Sequence, residues 1–148
     1  MGYPTNMTSQ PAAELIPCDA RRILITDDET PVRDIFRMIL ASGFPTCTIE
    51  VAANGLEALQ AFQKSHHGVL LMDLKMPIMD GQTAFARIRE ACAVKGWEMP
   101  AVIFCTGFAP SPSIKALASA GQNHCLIQKP VTSEILLNVV RSRLPAAG

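Results

Sequence analysis

The chain has 148 residues, with 13 Lys and Arg against 13 Asp and Glu, and so no formal net charge. That length suits one domain with a sizeable core, and a hydrophobic fraction of 49% with 18% charged residues excludes a disordered chain. Charge neutrality argues against a general nucleic-acid binder, which needs basic excess to neutralise phosphates, and against a basic membrane-surface segment. No apolar run approaches the roughly 20 residues of a membrane span. Met1–Ala20 has neither the basic start nor the apolar stretch of a secretory signal, so the cytoplasm is the expected compartment. The cysteines, Cys18, Cys47, Cys92, Cys105 and Cys125, are odd in number and form no C-x-x-C pair. They read as reduced structural thiols, not as a disulfide framework or a zinc site.

Residues 1–20 are rich in Pro, Ala, Ser, Thr and Asn without an apolar period, which reads as a tail or linker ahead of a domain over 21–148. Ile23–Thr26 is a short buried-strand run. Thr30-Pro31 then reads as an N-cap with Pro opening a helix, and Val32, Ile35, Phe36, Ile39 and Leu40 keep helical spacing until Gly43. Next come a weak strand over Thr48–Ala52, an Asn54-Gly55 turn and a helix marked by Leu56, Leu59 and Phe62. Val69–Met72 is a continuous apolar strand, and a loop with Pro77 and Asp80-Gly81 leads to a helix carrying Ala84, Phe85, Ile88 and Ala91. The strand Ala101–Cys105, a short helix through Ile114, Leu117 and Ala118 to Gly121, the strand Cys125–Ile127 and a helix ended by Pro145 close the chain. Strands that alternate with helices and read as solid apolar runs predict an α/β fold: a doubly wound, five-stranded parallel sheet.

The polar residues just past the strong strands carry the chemistry. Asp27 and Asp28 come after the first, Asp73 after the third, Thr106 after the fourth and Lys129 after the fifth. A parallel sheet brings all these ends to one rim, where open α/β sheets bind ligands at the switch point. With strand order 2-1-3-4-5 that switch lies between strands one and three, at the three aspartates. Gathered carboxylates repel unless neutralised, and Mg²⁺ with oxygen ligands answers that need. Three carboxylates, one Mg²⁺ and Lys129 sum to zero, a balanced site for a phosphoryl group. Asp73 is then the nucleophile, since carboxylates form aspartyl phosphates, Asp27 and Asp28 hold the metal, and the Thr106 hydroxyl donates to a phosphoryl oxygen.

At these residues the chain resembles the receiver domains of two-component response regulators. The matching elements are Ile-Thr-Asp27-Asp28-Glu, Ala-Asn54-Gly55-Leu-Glu-Ala-Leu, Leu-Met-Asp73-Leu-Lys-Met-Pro77-Ile-Met-Asp80-Gly81, Cys-Thr106-Gly and Lys129-Pro130, spanning Arg21 to Leu144. The resemblance implies a flavodoxin-like receiver fold with Asp73 as phosphoacceptor. It implies Mg²⁺ on Asp28 and Asp73 with Asp27 nearby and the backbone carbonyl of Lys75 completing the shell. It also implies phosphate contacts from Thr106 and Lys129, and a cis bond at Lys129-Pro130. The implied donor is a histidine kinase or histidine phosphotransfer protein, and the product is a switch in downstream partner binding and not an enzyme's turnover. Lys75 and Phe108, two residues past the phosphoacceptor and the threonine, overhang the phosphoryl group and are expected to slow attacking water.

Two departures stand out. Receivers usually carry Tyr or Phe three residues before the lysine, where this chain has Leu126, so the usual threonine–aromatic switch is in doubt. The last two helices hold few charges (Lys115, Glu134, Arg141, Arg143), against the charged-pair dimer of the DNA-binding subfamily. The expected partner face is Ser111–Ala120, Cys125–Ile127 and Thr132–Leu144. A phosphorylation-independent interaction module is the alternative. A flavin site is disfavoured because Asp27-Asp28-Glu29 repels phosphate, and a phosphatase because Asp73 lacks an Asp-x-Asp pattern. With the end at Gly148, no output domain is expected, and the unit is expected to act alone or to derive from a larger protein such as a hybrid sensor kinase. Met72, Met76 and Met79 read as packing, His66-His67 as a solvated turn, Trp97 as loop packing, and Asp80-Gly81 as a turn and helix start.

Overall fold

The computed structural model describes residues 14–107, 109–120 and 123–145. The elements are β1 (Asp19–Thr26), α1 (Thr30–Gly43), β2 (Thr48–Ala52), α2 (Gly55–Ser65), β3 (His67–Asp73), α3 (Gly81–Lys95), β4 (Ala101–Thr106), α4 (Pro112–Ala120), β5 (Cys125–Gln128) and α5 (Ser133–Arg141). The five strands are parallel and lie in the order β2-β1-β3-β4-β5, the doubly wound arrangement expected. No described helix is long and apolar enough to cross a membrane.

Strand alternation divides the core in two. Leu24, Leu70, Met72, Val102 and Phe104 face α2 and α3, where Phe62, Ala84, Phe85 and Ile88 are buried. Ile23, Ile25, Val69, Leu71, Ile103 and Cys105 face the other way, against Phe36 and Leu40 of α1 and Leu136 and Val140 of α5. Because both faces are covered, the central strands carry unbroken apolar runs, Ile23–Ile25, Val69–Met72 and Ala101–Cys105, rather than alternating ones. Each fully buried Leu or Phe side chain contributes roughly 1.5–3 kcal/mol. All five cysteines are free thiols. Cys105 sits in the second core layer, and burial pushes its thiol far up.

Several local readings are corrected. The N-cap of α1 is Glu29, and Thr30 is the first helical residue. The turn ahead of the helix is built by Asp27, whose Oδ1 accepts the Glu29 amide proton at 2.9 Å. Thr30 Oγ1 is instead occupied by Arg33, which donates to it at 3.0 Å. Gly43 is the last helical residue, and its value is closeness: a Cβ there would meet Leu137 Cδ2 of α5 at 2.4 Å. α5 ends at Arg141, four residues before Pro145, while Gly121 and Phe108 lie outside the described residues.

The boundary at residue 20 also moves. Asp19 and Ala20 belong to β1, and Ile16 forms a parallel bridge with Trp97. The Ile16 amide donates to Gly96 O and its carbonyl accepts from Glu98 N–H, both at 2.8 Å. His66 and His67 are buried, not solvated. His66 caps α2 in the left-handed conformation (φ 48°), and its ring stacks on Trp97 with centroids 4.1 Å apart. His67 Nε2 bonds Glu50 Oε1 on β2, which satisfies one ring nitrogen inside the protein.

Candidate phosphoryl and metal site

The rim expected from the strand ends is present. β1 lies between β2 and β3, so the chain crosses over at the β1–β3 boundary, and Thr26 pairs with Met72 there. Asp73 is the last residue of β3 and Thr106 the last of β4, in register with Cys105 and Gln128 of the neighbouring strands. Lys129 comes directly after β5, donates its amide to Thr106 O at 2.8 Å, and is joined to Pro130 by a cis peptide.

Asp27, Asp28 and Asp73 each present one carboxylate oxygen within 4.8 Å of the others. Asp27 is fully employed: Oδ1 accepts from Glu29 N–H at 2.9 Å, and Oδ2 accepts from Lys129 Nζ at 2.6 Å. That second contact is a charge-assisted hydrogen bond in a buried setting. Lys129 Nζ also approaches Asp73 Oδ2 at 3.4 Å. Burial pulls the Lys129 ammonium down, but the bonds and charges of Asp27 and Asp73 outweigh it and hold it above the usual lysine range. Burial and the Asp27 charge push the Asp73 carboxyl above the ordinary Asp value, with Lys129 opposing them. Asp28 is exposed and bonds to nothing among the described residues, so its oxygens are open to a ligand. A cleft of about 300 Å³ opens over the group, lined by Asp28, Glu29, Asp73, Lys75, Gly107 and Lys129.

Among the described residues the candidate ligands are the carboxylates of Asp27, Asp28 and Asp73 beside the Lys129 ammonium, an oxygen donor set that suits a hard divalent cation such as Mg²⁺. Thr106 is buried at the edge of this group. Leu126 is half-buried and packs in the core layer facing α2 and α3, where an aromatic was the family expectation.

The loop after Asp73 is fixed from below. Gly81 N–H donates to Leu74 O at 2.9 Å, and Asp80 caps α3 by accepting from Thr83 N–H at 2.7 Å. The absent side chain of Gly81 lets α3 start directly under β3: a Cβ would stand 2.2 Å from Asp73 O. Gly55 N–H holds the same loop through Met79 O at 2.9 Å. Sequence reasoning missed Arg33, whose NH1 donates to Asp27 O at 2.7 Å. The available signal was an arginine in the first turn of the helix behind the Asp pair.

The model for the response regulator receiver domain matches residues 23–141. The chain belongs to this family. It is 28% identical over 124 residues to the chemotaxis protein CheY of Halobacterium salinarum, covering 82% of this receiver and 98% of that protein. It is 30% identical to part of hybrid signal transduction histidine kinase B of Dictyostelium discoideum, covering 82% of this chain but 6% of the kinase. Among solved structures, chemotaxis protein CheY4 of Vibrio cholerae superposes with TM-score 0.67 at 26% identity, over 83% of this chain and 98% of that one. The receiver domain of a DNA-binding response regulator of Colwellia psychrerythraea superposes with TM-score 0.69 at 25% identity, over 82% and 95%. This receiver is thus a module of two-component signalling with the CheY-like flavodoxin fold. Receivers generally bind Mg²⁺ through an acidic pocket and interact with histidine kinases and downstream effectors.

Proposed function

We propose that this receiver accepts a phosphoryl group on Asp73 from a histidine kinase or histidine phosphotransfer protein, with Mg²⁺, and thereby switches the binding of a downstream partner. The observation that carries this reading is the meeting of three carboxylates within 4.8 Å beside an ammonium at 2.6 and 3.4 Å, under an open cleft. Asp28 and Asp73 would hold the cation, with Asp27 beside them and the Lys75 carbonyl as a further ligand. Bound Mg²⁺ supplies neutralisation of phosphoryl and carboxylate charge.

The protein's own residues do the rest. An ionised Asp73 oxygen attacks the phosphorus of a phosphoimidazole in line with its P–N bond. A P–O bond forms, the P–N bond breaks, and the departing imidazole nitrogen takes up a proton. Such transfer needs chiefly positioning and charge neutralisation. Lys129, held between Asp27 and Asp73, turns part of its charge to the incoming phosphoryl oxygens, and the Thr106 hydroxyl donates to another. Lys75, which lines the cleft, slows the access of water to the product. The protein assists only its own phosphorylation and hydrolysis, in the cytoplasm, where five free thiols stay reduced.

The test is labelling by acetyl phosphate or by histidine kinases with Mg²⁺. Wild type labels and Asp73→Asn does not; a labelled Asp73→Asn protein refutes the assignment. Leu126 favours a second reading, a receiver-like module that binds its partner without phosphate. Partner binding unchanged by beryllofluoride would select that reading.

A further inference from the structure

The two aspartates at the end of β1 are joined by one peptide unit, and its carbonyl is that of Asp27. Asp28 has no hydrogen bond among the described residues, so what holds it near Asp73 is the backbone, which fixes where its Cα–Cβ bond starts and points. That backbone is held at three points. Asp27 N–H donates to Ala52 O at 3.2 Å, and Asp27 Oδ1 accepts from Glu29 N–H at 2.9 Å. The third point is the carbonyl itself, which accepts from Arg33 NH1 at 2.7 Å. Among the described residues only this last bond grips the plane between the two acids, and rotation of that plane would swing Asp28 away from Asp73.

Arg33 is built for the task. It stands in the first turn of α1 and reaches back to the strand end with both prongs of its guanidinium engaged. NH2 donates to Thr30 Oγ1 at 3.0 Å, which anchors the fork to the helix. Although the carbonyl it grips belongs to an aspartate, Arg33 forms no ion pair among the described residues. Its planar fork needs two directed donors, which a lysine ammonium on a flexible stem supplies poorly.

We propose that Arg33 is a positioning residue that fixes the Asp27–Asp28 peptide plane and so sets the receiver's affinity for a divalent cation. This rests on the reading that the acidic cluster binds Mg²⁺. Residues that orient metal ligands typically change affinity by about 10–100-fold when removed. The effect opposes simple electrostatics, because deleting a cation near three carboxylates would by charge alone tighten Mg²⁺ binding.

The experiment is calorimetric titration of Mg²⁺ into the full chain as wild type, Arg33→Ala and Arg33→Lys, at one ionic strength and well below each protein's melting temperature. We expect Arg33→Ala to bind about tenfold more weakly. Arg33→Lys, which keeps the charge and loses the fork, is expected to bind at least about threefold more weakly. Equal or tighter binding by both variants overturns the proposal while leaving the metal reading intact. A wild type that does not take up Mg²⁺ overturns the metal reading and the brace with it. If Arg33→Ala does not fold, Arg33→Lys decides, because wild-type affinity in that variant would show that charge and not the fork matters.

Discussion

Gly81→Ala offers a sharp test of how α3 positions the chemistry. The new Cβ would stand 2.2 Å from Asp73 O, 3.0 Å from Met72 Cγ and 3.1 Å from Asp73 C. Met72 has a flexible side chain and can give way. The Asp73 carbonyl cannot, because it is backbone at the end of a central strand. Either α3 or the end of β3 must retreat by about 0.8 Å to bring that approach to the 3.0 Å below which real Cβ atoms are not found. Overpacking of this kind costs about 1–3 kcal/mol. A displacement near 1 Å at a reacting group costs on the order of 100-fold in rate. We therefore expect Gly81→Ala to lose about 2 kcal/mol in urea unfolding and to be phosphorylated by acetyl phosphate at least about tenfold more slowly while still folded. Gly96→Ala is the internal control. It has φ +66° and nothing within 4 Å of its Cβ, so it carries only the left-handed penalty of about 1 kcal/mol and leaves the rate alone. If Gly81→Ala matches wild type in both stability and rate, the close approach of α3 to Asp73 does not position the site.

Other consequences rest on single residues. Thr26 Oγ1 is buried without a hydrogen-bond partner among the described residues, so Thr26→Val is expected to raise stability by about 1 kcal/mol; a loss on urea unfolding would contradict this. Lys129→Met leaves the buried Asp27 carboxylate without its cation and should cost about 3 kcal/mol without metal, with less lost in Mg²⁺. An undiminished loss in Mg²⁺ would count against a shared charge balance. Burial lowers the pKa of His67 and of His124, whose Nδ1 accepts from Val102 N–H at 3.2 Å. The unfolded chain therefore takes up these protons first, and stability falls as pH drops below about 6.5, by up to about 1.4 kcal/mol per pH unit per site. The double variant His67→Gln/His124→Gln should flatten that slope, and a slope equal to wild type would refute the assignment. Cys105, buried with its thiol pushed up, should react with a thiol reagent far more slowly than half-buried Cys47 in the native protein.

The residues legible in the sequence are those whose position along a strand fixes their position in space. Asp27, Asp28, Asp73, Thr106 and Lys129 each come after an apolar run, and parallel pairing alone carries them to one edge. The two-layer core was legible for the same reason, since only a sheet covered on both faces needs unbroken apolar strands. Side chains whose role depends on what lies across the fold were not. The His66-His67 pair looks polar, yet one ring stacks on Trp97 and the other bonds Glu50, partners 31 and 17 residues away along the chain. Arg33 looks like a solvated charge on a helix, and only the carbonyl it meets at 2.7 Å gives it a role. Gly43 looks like a helix stop, while its lack of a side chain is used for the approach of α5. Thr30 looks like a cap, but the Asp27 side chain had already built the turn.

Trp97 has an optical consequence. It is the only tryptophan, and it lies just ahead of β4, a strand whose far end is Thr106. Six residues of strand put roughly 20 Å between the two ends. The indole is sandwiched by the His66 ring at 4.1 Å and the Lys95 ammonium at 4.4 Å, on the segment that Ile16 bridges. Its emission therefore reports on the docking of the segment around Ile16 rather than on events at Asp73. Fluorescence monitored against denaturant should register the loss of the Ile16 bridge. A response to beryllofluoride would be a long-range signal, carried through the full length of the sheet.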